Sequence, residues 1–206
     1  MKTTQLTLCA AALAAGLGTI PSARAGEDFH FPVGIAYSSG IADATDKLAD
    51  LYRQDGYSVS KIDVPLGLVL NPYYEWHTSI GGIGAGVTVG PTAFVVVDHN
   101  GGDNFSGNTQ LSYAVPVGPF IRYTPWPKAT ISPYVRAGVT YTIAGGNFDS
   151  SGAGGFGAVG VELWRTKRVG VSLEAGYDSS RIKVTQGPYS GNVSFPGFTV
   201  SLQALF

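Results

Sequence analysis

The sequence predicts an all-β fold: an eight-stranded antiparallel transmembrane β-barrel of up-and-down meander topology, with one short helix in its first external loop. Three observations lead there. The 206 residues include 29 glycines, eleven tyrosines and ten phenylalanines, but only 13% are charged, against about 25% in an ordinary soluble domain. Eight segments alternate apolar and polar residues with period two, the mark of half-buried strands. The connections between them alternate strictly between short and long. A net charge of −1 leaves no electrostatic footprint for nucleic acid, and so few charges exclude a disordered acidic or basic chain.

The first element is a leader rather than a strand. Lys2 supplies a positive start, Leu6 to Ile20 is an apolar run, Pro21 and Ser22 break it, and Ala23-Arg24-Ala25 is an A-x-A cleavage site. This is the layout of a secretory signal peptide, and the run is too short for a comfortable transmembrane helix. The expected organisation is residues 1–25 as signal peptide and residues 26–206 as barrel domain. Cys9 lies inside the leader and is the one cysteine, so the mature chain has neither disulfide nor thiol chemistry.

The segments follow in order. Phe31, Val33, Ile35 and Tyr37 form the apolar face of the first, and Ile62, Val64, Leu66, Leu68 and Leu70 that of the second. The third, Tyr74 to Val89, is laden with glycine, and the fourth sets Leu111, Tyr113, Val115, Val117, Ile121 and Tyr123 against small residues and Arg122. The fifth carries Ile131, Val135, Ala137, Val139, Tyr141 and Ile143 opposite Tyr134 and Arg136. Val159, Val161 and Leu163 oppose Glu162 in the sixth, and Val169, Val171, Leu173, Ala175 and Tyr177 oppose Glu174 in the seventh. The eighth, Phe198 to Phe206, ends the chain.

Alternation alone also fits a soluble sandwich, and the connections decide between the two. Segments two and three meet at Asn71-Pro72, four and five at Pro125-Trp126-Pro127-Lys128, and six and seven at Arg165-Thr166-Lys167-Arg168. The other four connections are long and polar. Short turns at one end and long loops at the other are the rule of outer-membrane barrels. Tyr73, Tyr74, Trp76, Tyr123, Trp126 and Trp164 all fall beside a short turn, where a periplasmic girdle of aromatic rings is expected.

Taken together, the A-x-A leader, the eight alternating segments, the alternating loops and the closing Leu202-Gln203-Ala204-Leu205-Phe206 resemble the eight-stranded outer-membrane barrels, the group of the OmpA transmembrane domain, OmpX and OmpW. The resemblance spans Gly26 to Phe206. It implies insertion in the cell outer membrane among lipid and lipopolysaccharide, and it makes Phe206 the assembly signal read by the barrel-assembly machinery.

Asp63, Arg122, Arg136, Glu162 and Glu174 fall on the inner face and are expected to form a lumen ion-pair network, because charges held from water need partners. A structural plug, a gate or narrow filter, and a catalytic Glu162/Glu174 pair are the three readings. Nearby arginines would depress both carboxyl pKa values and spoil an acid, which disfavours the third. Glu75, His77 and Ser79 share a face, and His77-Thr78-Ser79 resembles the His-x-Ser element of outer-membrane lipid A deacylases, but Ile80-Gly81 follows where that family continues Ser-Asn. His77 also sits near a periplasmic turn, so a girdle histidine is the simpler reading. His30 and His99 have no partners at metal-ligand spacing.

The first long loop holds a helix-like run, Asp43 to Arg53, with Asp43 as N-cap and Ile41, Ala44, Leu48 and Leu51 at helical spacing. It reads as a short helix over the barrel rim, or as a lid that binds a ligand or partner. Asp46, Asp50, Asp98, Asp103 and Asp149 make an acidic rim without metal-ligand spacing. The expectation is a monomeric, non-enzymatic barrel without cofactor or metal, acting through its external loops on a ligand or protein. A narrow porin-like channel is the alternative, and a lipid-modifying enzyme the least favoured.

Overall fold

Period-two alternation closes into a cylinder. The computed structural model describes residues 27–59, 66–100, 108–165 and 169–206, so the expected leader and Asp63 lie outside the described residues. In chain order come β1 (Glu27–His30), β2 (Pro32–Ser38), α1 (Ser39–Gln54), β3 (Ser58–Val59), β4 (Leu66–Leu70), β5 (Tyr73–Thr78) and β6 (Gly81–Asn100). Then follow β7 (Asn108–Thr124), β8 (Ile131–Gly145), β9 (Phe148–Ser150), β10 (Ala153–Leu163), β11 (Gly170–Asp178), β12 (Arg181–Gln186), β13 (Tyr189–Ser194) and β14 (Gly197–Leu205).

β1 with β2, and β4 with β5, act as two interrupted wall strands; β6, β7, β8, β10, β11 and β14 are the other six. Every neighbouring pair is antiparallel, and β14 returns to pair with β2, Leu202 opposite Ile35, which closes the barrel. The first and last described strands meet near there, with the Phe31 N–H donating to the Phe206 carbonyl at 3.1 Å. Among the described residues no helix is long and apolar enough to cross a membrane, a statement that does not concern strands.

The Asn71-Pro72 turn expected from sequence is corrected. These residues are a break inside one wall strand, where β4 hands over to β5 while the Asn71 N–H still reaches the Pro32 carbonyl and the Val87 N–H the Pro72 carbonyl. The turn lies at Ser79-Ile80, between β5 and β6. It needs Gly81, whose φ of 136° no ordinary residue adopts. Segment three therefore runs through a turn and belongs to two strands.

Outside, Ile35, Leu68, Val87, Ile121, Val139 and Leu202 are among many large apolar side chains left exposed around the wall. Inside, bulky rings lie on glycines of the facing strand: a Cβ at Gly160 would strike the Tyr134 ring. Two-residue periodicity thus sorts the chain into an apolar outer skin and a polar, aromatic interior.

The loop end carries a second, smaller layer. β9, β12 and β13 form a three-stranded sheet, order β13-β12-β9, where the sequence predicts only long polar loops. The helix is also longer than expected and begins earlier. Ser38, not Asp43, is its N-cap, with its hydroxyl accepting from the Ile41 N–H at 3.3 Å and donating to the Pro196 carbonyl at 2.6 Å. Its inner face (Ile41, Ala44, Leu48, Leu51, Tyr52) packs with Phe148, Ile182, Val184 and Phe195 into one apolar core above the barrel. Leu48→Ala, at a fully buried position, should cost about 2–5 kcal/mol. Limited proteolysis should then cut the cap while the barrel still migrates as a compact band on unheated SDS gels.

Candidate functional site in the barrel lumen

The lumen is filled in tiers. Nearest the turn end is Arg165, which the sequence places in the turn between segments six and seven. Its guanidinium donates through Nη2 to Glu75 at 2.5 Å, through Nη1 to Glu162 and to the Tyr73 hydroxyl at 3.2 Å, and through Nε to the Pro127 carbonyl at 2.9 Å. His30 Nε2 lies 3.2 Å from Nη2. The side chain is 2% exposed, and both glutamates are fully buried.

Above it lies Arg122, with Nη2 2.8 Å from Glu162 and Nε donating to the Thr124 hydroxyl at 3.1 Å. That hydroxyl donates in turn to Glu75 at 2.8 Å. The Arg122 guanidinium is sandwiched by Tyr73 at 4.4 Å and Tyr134 at 3.6 Å. Cation–π stacking of this kind replaces water on both faces of the charge.

Arg136 forms the next tier. It grips Glu174 with a two-point fork, Nε at 2.5 Å and Nη2 at 2.6 Å, and lies 4.9 Å from both the Phe120 and Phe156 rings. Tyr134 adds a third hydrogen bond to Glu174 at 2.9 Å. Fork-to-fork pairing uses the planar shape of arginine, which lysine lacks. Beyond it, Thr140 donates to Asp178 at 2.5 Å.

A parallel polar column on the opposite side joins Thr88, Asn71, Gln203 and Ser201. Between the Arg136 tier and the cap remains a cavity of about 30 Å³, room for about two waters. The Arg136 Nη1 edge, turned away from Glu174, has no hydrogen-bond partner. The cap then closes the loop end: Asn147 receives the Tyr52 hydroxyl at 3.4 Å and the Ser112 hydroxyl at 3.2 Å, and donates to Thr185 and Gln186. Burial pushes the Tyr52 hydroxyl pKa upward.

Of the residues expected to pair in the lumen, the structure buries Arg122, Arg136, Glu162 and Glu174 together. It adds Glu75 and Arg165, so among the described residues three arginines face three glutamates. The aromatic girdle needs one correction. Tyr73, 2% exposed, points into the lumen because β5 alternates Tyr73 and Glu75 inward with Tyr74 and Trp76 on the other face. Trp76, Tyr123, Trp126 and Trp164 are exposed at the turn end, and Phe206 beside them is 60% exposed. His77 lies 3.2 Å from Asp28 and 3.4 Å from Glu75, while Ser79 sits exposed in the turn.

Three known-protein comparisons frame this geometry. No protein-family model matches the sequence, and no curated protein is similar to it by sequence. Among solved structures, the chain is similar to the outer membrane protein OprG from Pseudomonas aeruginosa, at 13% identity and a TM-score of 0.53, covering 87% of this chain and 94% of that one. A second similar structure is the outer membrane protein AlkL solved in DMPC bilayers, at 16% identity and a TM-score of 0.45, covering 91% and 94%. The fold is that of the eight-stranded outer-membrane β-barrels.

Removing one member of a buried pair strands the other charge, at about 3–5 kcal/mol. Glu174→Ala should therefore markedly lower the temperature at which the folded gel band converts to the unfolded one. Replacing both Arg136 and Glu174 with methionine should restore much of the loss.

Proposed function

We infer that the protein is an integral outer-membrane barrel, exported by a cleaved leader, whose lumen is closed and whose external cap is its working surface. The membrane reading is supported by the apolar outer skin between two rings of aromatics. Trp76, Tyr123, Trp126 and Trp164 mark the turn end, and Tyr37, Tyr141, Tyr177 and Phe198 the loop end. Two girdles flanking an apolar band are what a bilayer selects. On this reading the turns and Phe206 are periplasmic and the cap is external.

One observation carries the rest: the lumen is stopped at both ends by different means. The Arg165 tier seals one with buried ion pairs, and the core beneath α1 seals the other with apolar side chains. An interior eight strands wide fills with side chains, and this one does. The proposal is an interaction role through the cap, as a monomer among lipid and lipopolysaccharide, on a ligand or protein partner. The narrow-channel reading draws on the cavity beside Arg136 and needs both seals to open. The enzyme reading draws little from His77, which faces Asp28 and Glu75.

Planar-bilayer recording of the purified barrel tests this. Silent bilayers are expected; stable unitary conductance of the unmodified protein would replace the interaction reading with the channel. Assembly has its own test. Deleting Phe206 should deplete the protein from the outer-membrane fraction, and undiminished levels there would remove the terminal aromatic as the assembly signal.

A further inference from the structure

We propose that Arg165 is a movable bolt on the turn-end mouth of the barrel, so that its departure alone opens the lower lumen to solvent. The other two lumen arginines cannot play this part. Arg136 lies inside β8, and Arg122, two residues before the end of β7, is still held in the ladder as its register partner, so neither backbone can shift without breaking rungs of the wall. Arg165 follows the last residue of β10 by two positions and belongs to no strand. Its backbone holds the adjoining turn by one bond, from its N–H to the Thr130 carbonyl at 3.2 Å.

The neighbouring residue shows how the bolt is aimed. Trp164 has φ of 56°, in the left-handed region that a bulky side chain rarely occupies. That turn sends the indole outward, 54% exposed, and the next side chain inward. Strain of this kind persists only where its surroundings impose it, and here the imposing contacts are those of the guanidinium. They reach four separate parts of the molecule: His30 on β1, Tyr73 and Glu75 on β5, Glu162 on β10, and Pro127 on the adjoining turn. Withdrawing one side chain therefore unties four elements at the mouth while leaving every rung of the ladder in place. The proposal is independent of the interaction reading, since it concerns access from the turn end alone.

Accessibility of a lumen thiol tests it. Ser172 is 1% exposed and is the register partner of Glu162, in the tier the bolt covers. With Cys9 removed along with the leader, Ser172→Cys gives a single thiol, challenged in the folded barrel with a small charged methanethiosulfonate. In the parent, labelling should be slow but reach completion while the protein keeps its folded gel mobility. Arg165→Gln should speed it about a hundred-fold, because the bolt's closed state otherwise rests on compensating two buried carboxylates. Arg165→Lys should fall between, and Arg122→Gln should change it little. A thiol still protected in folded Arg165→Gln, or opened equally by Arg122→Gln, would overturn the proposal. So would a parent thiol that labels only as the barrel unfolds, since a fixed seal would then replace a movable one. Should Arg165→Gln fail to fold, Arg165→Lys against Arg122→Lys makes the same comparison with charge retained.

Discussion

Closure of the sheet is the constraint on which everything else rests. With a skin of Ile35, Leu68, Ile121, Val139 and Leu202 facing outward, the wall can stand in an apolar solvent only if no backbone N–H or C=O is left at an open edge. The β2–β14 pairing removes that edge. Once the cylinder is closed, alternation forces the other face of every strand inward, whether or not its residues like being buried. The polar interior is a consequence of the apolar exterior.

That consequence explains why, among the described residues, the buried cations of the lumen are arginines. A group buried at this depth needs its charge answered in every direction, and a planar cation can be answered twice over. The fork of Arg136 takes Glu174 edge-on while Phe120 and Phe156 cover it; Arg122 meets Glu162 at its edge and two tyrosine rings at its faces. Glycine in the facing strand makes the space for those rings. Ion pair, ring and glycine form one repeating solution, stacked along the axis.

How far this could be read from sequence follows from where parity holds. Along an unbroken strand, period two assigns Arg122, Arg136, Glu162 and Glu174 to the inner face without further information. Parity fails where a strand is interrupted. Asn71-Pro72 has the composition of a turn, yet Pro72 loses no hydrogen bond by lacking an N–H at a break between β4 and β5, and the error put Tyr73 on the rim. Parity says nothing at all of turn residues, which hid Arg165. A signal was present: with Glu75 inward, four acidic side chains (Asp63, Glu75, Glu162 and Glu174) faced two arginines, and charge balance called for a further cation. The cap sheet was missed for another reason. Ile182 and Val184 alternate with Arg181 and Lys183, but so short a run between glycines reads as loop until its partner β9 is known.

The two ends of the lumen are closed by opposite physics, and the difference carries a direction. At the turn end the seal is electrostatic, directional and concentrated in one side chain, so it is lost when that side chain moves and restored when it returns. At the loop end the seal is an apolar core shared among α1, β9, β12 and the tops of β6 and β7; it has no single point of failure, and opening it exposes hydrophobic surface from several elements together. A barrel so built is far easier to open from the turn end, where Phe31 meets Phe206, than from the end where its loops fold. Solvent reaching the lower tier would still meet Arg122, held between two tyrosines on an unbroken strand, so entry at the mouth and passage through the wall are separate events governed by different residues.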